Sequence, residues 1–394
     1  MMAHKAPRNV RIESLRLFAI VAIAVFHTFQ PLFSQATAWA LAGDEGARSA
    51  AAAAGDIAAI VAASPVAVGA LAFINLFGAF GNCVFFMISG YFLIPRCAQA
   101  SRDEGYWRIQ GSKTLRRAGV ILISVALYAL LALAIGRFIT PLPGISLHET
   151  GWLLGGLEFI WVYLAVMVVS PLIGWAWERC RARTPAALSL VVLIYLVNAY
   201  IAFISPGDAE RGLLEWRKLM SAVTYFAAFL IGGLIARRAL HPATGRRTRV
   251  AALAAFVGAL CVEIALSVAG HVDILVATSF KSTSAISCAL AAISLVACAQ
   301  PARSAASRRD ALIRSAASSI LGFYILQSML YSLWRGGMDL LLADAARSIG
   351  AQDTVLCICA VLGAGLIGSL LVVAGFLAID HVVRKPLLRA LRLE

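Results

Sequence analysis

The sequence predicts an all-α integral membrane protein, and three observations support this. Of the 394 residues, 61% are hydrophobic and 14% are charged, whereas a soluble domain is nearer half apolar and a quarter charged. The mean hydropathy is +0.85. The apolar residues also form runs long enough to cross a bilayer, which takes about 20 residues of helix. Arginines and lysines separate these runs.

We interpret the whole chain, residues 1–394, as one transmembrane domain with about ten spans. The first run follows Lys5, Arg8 and Arg11 but is long for the apolar part of a signal peptide, so we expect a retained helix. The predicted spans lie near 15–34, 71–94, 118–139, 156–175, 186–205, 219–236, 250–270, 284–300, 316–335 and 354–380.

Basic residues alternate from one connection to the next. Arginine and lysine are concentrated at the N-terminus, in 96–117, 179–183, 237–249 and 303–314, and in the tail at 384–392. The other connections are poorer in basic and richer in acidic residues. By the positive-inside rule, both termini are predicted to be cytoplasmic. The segment 35–68 is then the one long outer connection, and whether it forms a helix over the outer face stays open.

The net charge of +14 follows this topology pattern, so we do not expect a nucleic-acid partner. The eight cysteines form no CxxC pair, and we expect neither a disulfide framework nor a metal site. "GAGLIGS" (363–369) matches GxGxxG, but no strand precedes it. We interpret it as close helix packing rather than a dinucleotide site.

Arg16 and His27 are the most informative pair. They stand eleven residues apart in "RLFAIVAIAVFH", which is about three helical turns, so both side chains leave the same face. The rise between them is about 16 Å, roughly half of the hydrocarbon core. A buried imidazole can serve as a base or nucleophile, or simply bond across helices. Arg16 is either an interfacial anchor paired with Glu13 or part of a site.

Two glutamates lie within predicted spans. Glu158 begins the fourth span near the outer face, where it either orients an imidazole or reaches interfacial water. Glu263 in "CVEIALS" is a polar contact or lines a cavity. The pair Ser89-Gly90 near the end of the second span allows either close helix packing or a break in the helix.

Arg116 and Arg117 open the third span on the predicted cytoplasmic side, where Arg16 also lies. They are either a topology signal or a phosphate clamp, because paired guanidiniums suit phosphate geometry. In the second case a ring of arginines would hold an anionic, nucleotide-containing donor.

These residues together resemble the membrane acyltransferase type 3 family, bacterial O-acyltransferases that modify surface sugars. The resemblance covers nearly the whole chain. It rests on Arg16 and His27 in the first span, on Phe85, Phe86, Ser89, Gly90 and Tyr91 in the second, on Arg116 and Arg117 in the third, and on Gly322, Tyr324 and Leu326 in the ninth.

The chain departs from the family pattern at three positions. Where the fourth span of the family often reads "HLWF…P", this sequence has Gly156 and Glu158, keeping Phe159. In the ninth span, Gln327 stands where the family often has histidine. The acceptor site is therefore expected to differ from that of other members, with Glu158 available for a role that another group usually fills.

The resemblance implies an enzyme of the bacterial inner membrane that moves an acyl group, usually acetyl, from cytoplasmic acetyl-CoA to a hydroxyl of an exported saccharide. Arg16, Arg116 and Arg117 would hold the phosphates of the acyl-CoA co-substrate. His27 would deprotonate the sugar hydroxyl or carry the acyl group itself, and Ser89 would donate to the oxyanion.

Three alternatives stay open. One is a transporter or flippase for a lipid-linked saccharide, which would consume no acyl-CoA. Another is a structural partner of polysaccharide biosynthesis or export proteins, for which His27 is dispensable. The third is succinyl transfer to periplasmic glucans, which the sequence does not distinguish from acetyl transfer.

Overall fold

The computed structural model describes residues 9–148, 151–204, 213–237, 245–279, 284–299, 307–349 and 353–393, with the backbone alone over 213–218. Within these ranges the secondary structure is helical and contains no strand. The prediction of an all-α integral membrane protein is confirmed.

The helices are numbered in chain order, and a short π-helical segment, Tyr200–Ile204, follows α8. They are α1 (Val10–Ala42), α2 (Glu45–Ala53), α3 (Ile57–Ala62), α4 (Pro65–Ala100), α5 (Tyr106–Phe138), α6 (Gly151–Leu154), α7 (Glu158–Arg179), α8 (Arg183–Ala199), α9 (Leu213–Arg237), α10 (Gly245–Val268), α11 (Val272–Thr278), α12 (Ala285–Cys298), α13 (Arg308–Ala317), α14 (Ile320–Met329), α15 (Tyr331–Ile349), α16 (Thr354–Val382) and α17 (Arg384–Ala390).

Eight stretches of helix in the described ranges are long and apolar enough to cross a membrane. They coincide with eight of the predicted spans. The remaining two predicted spans, 284–300 and 316–335, coincide with the shorter apolar helices α12 and α14.

The ninth predicted span is interrupted rather than continuous. Helix α14 ends at Met329, and α15 begins at Tyr331 and extends through what the sequence suggested was a connection. The indole Nε1 of Trp334 donates to the carbonyl of Gln327 across the break, at 3.0 Å. Polar residues such as Asp339 and Asp344 lower the hydropathy of α15, which explains why its helix was not predicted.

Helix α4 is the centre of the bundle. In its most apolar stretch, 72% of the residues are buried, against 17% for α10. A Cβ added at Gly90 would overlap the carbonyl oxygen of Phe229, and one at Gly232 would overlap that of Met87. Lipid supplies no hydrophobic force between helices, so this close backbone packing of α4 on α9 is what holds them together. Ser89-Gly90 therefore marks close packing, within an unbroken helix.

Helix α16 packs on α1 through the segment that matches GxGxxG. Gly365 lies against the ring of Phe29, and Gly368 lies against Met338. The hydroxyls of Thr28 and Ser369 share a hydrogen bond of 2.9 Å. The interpretation of "GAGLIGS" as a packing segment is confirmed.

The long connection after the first span is mostly helical. Helix α1 continues to Ala42 and is followed by α2 and α3. Asp44 and Asp56 cap these two short helices through their carboxylates, and Ser64 caps α4. Helix α3 is buried against α1 and α4.

A buried ionic cluster fixes the C-terminal helices. Asp380 accepts hydrogen bonds from Tyr128, at 2.8 Å, and from Arg384, at 2.5 and 3.0 Å. Arg384 also donates to the carbonyl of Ser318 at 3.3 Å. These contacts join α5, α13, α16 and α17, and they place the last described residues beside α5.

Candidate functional site

The first cavity, here the arginine cavity, has a volume of about 530 Å³. It lies between α1, α4, α5, α7 and α14. Its cationic side chains are Arg16, Arg116 and Arg117, and its one serine is Ser89. The remaining wall is largely apolar and aromatic, with hydroxyl groups on Tyr163 and Tyr324. The rest of the lining consists of Phe85, Phe92, Leu93, Val120, Ile121, Phe159, Ile160, Tyr163, Met167, Ala317, Ile320, Leu321, Tyr324 and Leu393.

Two arginines of this cavity, Arg16 and Arg116, have defined partners. A nitrogen of Arg16 lies 3.3 Å from a carboxylate oxygen of Glu13, one turn earlier on α1. Arg116 donates to the backbone carbonyls of Arg392 and Leu393, each at 3.5 Å. These are weak bonds by length, so the last described residues lie at the rim without neutralising the guanidinium.

The second cavity, here the histidine cavity, has a volume of about 270 Å³. His27 from α1 and Glu158 from the first residue of α7 both line it. Other polar side chains come from α1, α4, α9 and α14: Gln30, Asn82, Ser221, Tyr225, Gln327 and Ser328. Gly155 and Gly156 contribute backbone just before α7, and a Cβ at Gly156 would lie 2.4 Å from the carbonyl oxygen of Trp152.

Polar atoms in the histidine cavity are only partly satisfied. Asn82 donates from Nδ2 to the hydroxyl of Tyr225, at 2.7 Å. The hydroxyl of Tyr324 and Nε2 of Gln327 are buried and have no hydrogen-bond partner among the described residues. Buried polar atoms are normally paired, so these two have hydrogen-bonding capacity left beside the cavity.

The two cavities share Phe159 and Tyr324 in their walls. The rings of these residues stack with centroids 4.2 Å apart and an interplanar angle of 7°. Phe85 packs edge-on against Tyr324, with centroids 4.9 Å apart. An aromatic partition therefore stands where the two cavities meet.

His27 is half-buried and surrounded by aromatic rings. The ring of Phe26 lies 4.9 Å away and that of Tyr331 lies 6.0 Å away, both edge-to-face. Arg335 donates from Nη1 to the main-chain carbonyl of His27 at 3.1 Å. The start of α15 thus contacts both the ring and the backbone of His27.

The structure brings the predicted residues together in two groups. Arg16, Arg116 and Arg117 line the arginine cavity, and His27 and Glu158 line the histidine cavity. Ser89 lies with the arginines rather than with His27. Glu263 lines neither cavity and accepts a long hydrogen bond, 3.5 Å, from Thr278.

Several lining residues were not predicted. Gln30 could have been found from the sequence, because it follows His27 by three residues and therefore shares its helix face. Asn82 had a weaker signal as an amide within an apolar run. Tyr225 had none, because its approach depends on how α9 packs; the same holds for Arg335 on α15, which contacts the backbone of His27 without lining the cavity.

The fold and these cavities define a multi-pass helical membrane protein with two adjoining interior sites, one cationic and one bearing a histidine. Residues 9–374 match the family described as Acyltransferase domain. The chain belongs to this acyltransferase type 3 family and is a membrane acyltransferase. No curated protein sequence and no solved structure gives a significant match.

Proposed function

We propose that this protein is an O-acetyltransferase of the bacterial inner membrane that moves acetyl groups from cytoplasmic acetyl-CoA to a hydroxyl of an exported saccharide. One observation carries the proposal. The cavity lined by three arginines and the cavity lined by His27 adjoin each other across a single pair of aromatic rings.

The arginine cavity suits an acyl-CoA. Guanidiniums bind phosphate oxygens through paired, charge-assisted hydrogen bonds, and Arg16, Arg116 and Arg117 converge on one opening. The apolar wall beyond them fits the thin pantetheine arm. A volume of about 530 Å³ lies in the usual range of ligand pockets.

The histidine cavity suits a sugar. Its side chains carry amide, hydroxyl and carboxylate groups, which match the hydroxyls of a saccharide. The unpaired hydroxyl of Tyr324 and amide of Gln327 would each gain a partner. Glu158 also lines this cavity, where its carboxylate suits orienting an acceptor or the imidazole.

Transfer then proceeds through a tetrahedral oxyanion. The imidazole of His27 accepts the proton of the sugar hydroxyl while the hydroxyl oxygen attacks the thioester carbonyl carbon. The carbon–sulfur bond breaks, and the imidazolium returns the proton to the CoA thiolate. The products are the sugar ester and free CoA, and His27 is neutral again.

The thioester must reach His27 past the partition of Phe159 and Tyr324. The hydroxyl of Tyr324 belongs to this partition and has no hydrogen-bond partner in the described part of the chain. It is therefore a better candidate than Ser89 for stabilising the developing oxyanion. Ser89 lies on the donor side of the partition, where it suits a contact with the pantetheine arm.

The experiment uses sealed vesicles with the cytoplasmic face outward, prepared from cells that produce both the protein and its saccharides. Radiolabelled acetyl-CoA is added outside, with labelled succinyl-CoA in a parallel sample. We expect acetyl label in saccharide inside the vesicles. If saccharide is labelled from succinyl-CoA but not from acetyl-CoA, the transferred group is succinyl and the proposed acetyl specificity is wrong.

The role of His27 is tested in the same assay with His27→Ala, which should abolish labelling. The matched control is His271→Ala, which removes an exposed histidine outside both cavities. It should label saccharide as the wild type does. Saccharide that crosses the membrane while both acyl-CoAs stay intact would contradict the proposal and favour the transporter.

A further inference from the structure

A buried arginine on α15 contacts the helix turn that carries His27. Arg335 is only 9% exposed. Its Nη1 donates to the carbonyls of both His27, at 3.1 Å, and Thr28, and its Nη2 pairs with Asp339. An arginine buried in a membrane protein is costly and generally serves a function.

Pro31 explains why the carbonyl of His27 needs a partner. In an α-helix, the carbonyl of residue 27 accepts from the N–H of residue 31. Residue 31 of α1 is proline, which has no N–H. The carbonyl of His27 is therefore without its helical donor, and Arg335 supplies one from another helix.

The first turn of α15 makes further contacts around the same turn. The ring of Tyr331 lies edge-to-face with the imidazole, with centroids 6.0 Å apart. Trp334 donates to the carbonyl of Gln327, which lines the histidine cavity. Because α14 and α15 are separate helices, the start of α15 contacts both α1 and α14, and both of these helices line that cavity.

We infer that Arg335 is the positioning residue of His27: it replaces the helical hydrogen bond that Pro31 removes, and so fixes the turn that aims the imidazole into the cavity. The inference rests on the proposed function for its kinetic consequence. The replacement of the missing helical hydrogen bond by Arg335 does not depend on which reaction the protein catalyses.

The consequence is a rate effect. A displacement of about 1 Å in a catalytic group can cost a hundredfold in rate, whereas the arginine cavity would be unaffected. Loss of Arg335 should therefore lower kcat about 10- to 100-fold, while the Kd for acetyl-CoA changes less than twofold.

The test is a double-mutant cycle in the full-length protein. Arg335→Met removes the donors but keeps an unbranched apolar stem, and Pro31→Ala restores the N–H that the carbonyl of His27 lacks. We expect Arg335→Met to lose activity and the double variant to recover most of it. Asp339→Asn is the control, because it leaves both guanidinium bonds to α1 in place, and it should retain activity.

A second readout does not depend on acyl transfer. The rate at which diethylpyrocarbonate modifies His27, followed by mass spectrometry, reports the exposure of the imidazole. We expect Arg335→Met to change this rate at least threefold and the double variant to restore it.

The outcomes are distinguishable. If the wild type transfers no acyl group but the modification rates follow this cycle, the proposed function fails and the positioning role stands. If the double variant is no better than Arg335→Met in either readout, the positioning role is wrong and Arg335 has a general structural role. Thermal unfolding of each variant identifies any that fails to fold, and Arg335→Leu, which also lacks a donor, then replaces Arg335→Met in the cycle.

Discussion

The stacked rings of Phe159 and Tyr324, with centroids 4.2 Å apart, separate the arginine cavity from the histidine cavity. Both residues line both spaces. A group passing directly from the arginine cavity to the histidine cavity would meet these rings. In the proposed reaction, this partition would keep the thioester away from water on the acceptor side until the acceptor is bound.

Phe159→Ala should open this partition. With the two cavities joined, water reaches the thioester, and enzyme-dependent hydrolysis of acetyl-CoA in the absence of saccharide should rise about tenfold or more. The measurement is release of labelled acetate from acetyl-CoA. Phe92→Ala is the matched control, since Phe92 lines the arginine cavity alone, and equal hydrolysis in the two variants would contradict the partition.

Arg116→Ala and Arg117→Ala should weaken donor binding. A hydrogen bond to a charged group contributes about 1.5–3 kcal/mol, which corresponds to a rise in the Kd for acetyl-CoA of roughly tenfold or more per arginine. Binding to purified protein measures this directly. Lys113→Ala removes the same charge from an exposed position on the same helix outside the cavity. If it weakens binding equally, the arginines attract the donor only through net charge.

Gly90→Ala should destabilise the bundle. The added methyl group would meet the carbonyl oxygen of Phe229, and overpacking of this kind costs about 1–3 kcal/mol. The midpoint of thermal unfolding in detergent should fall. Gly258→Ala on α10 meets no atom within 4 Å and should leave the midpoint unchanged or raise it. A midpoint that does not move in Gly90→Ala would show that α4 and α9 are packed less closely than described.

Asp380→Ala should be among the most destabilising single changes. It leaves Arg384 buried without its carboxylate, and breaking a buried ion pair costs about 3–5 kcal/mol. The control is Asp344→Ala, which breaks a pair with Arg347 whose side chains are 66% and 72% exposed, and which should cost less than about 1 kcal/mol. Similar unfolding midpoints for the two variants would contradict the role assigned to the buried cluster.

Much of the fold follows from local sequence properties. Runs of apolar residues predict where helices lie, and a glycine stretch such as 363–369 predicts close packing, because both depend on composition over a few turns. The interruption between α14 and α15 was not predictable, because Leu330 and its neighbours carry no helix-breaking residue. The polar character of α15 also hid it among the connections.

The candidate site was predictable where its residues share a helix. Arg16 and His27 are related by helical periodicity, and Arg116 and Arg117 by adjacency. Tyr225 and Arg335 come from helices distant in sequence, and their places are set by packing. Pro31 was visible in the sequence, but the partner that replaces its missing hydrogen bond was not.

The most direct test of the account is the transfer rate of His27→Gln at saturating acetyl-CoA, measured as label entering saccharide in cytoplasmic-face-out vesicles. Glutamine retains polarity and approximate size but cannot act as the base. The account predicts a loss of at least a hundredfold, with the Kd for acetyl-CoA unchanged because the arginine cavity is intact. Transfer at the wild-type rate would contradict it and leave His27 a structural residue.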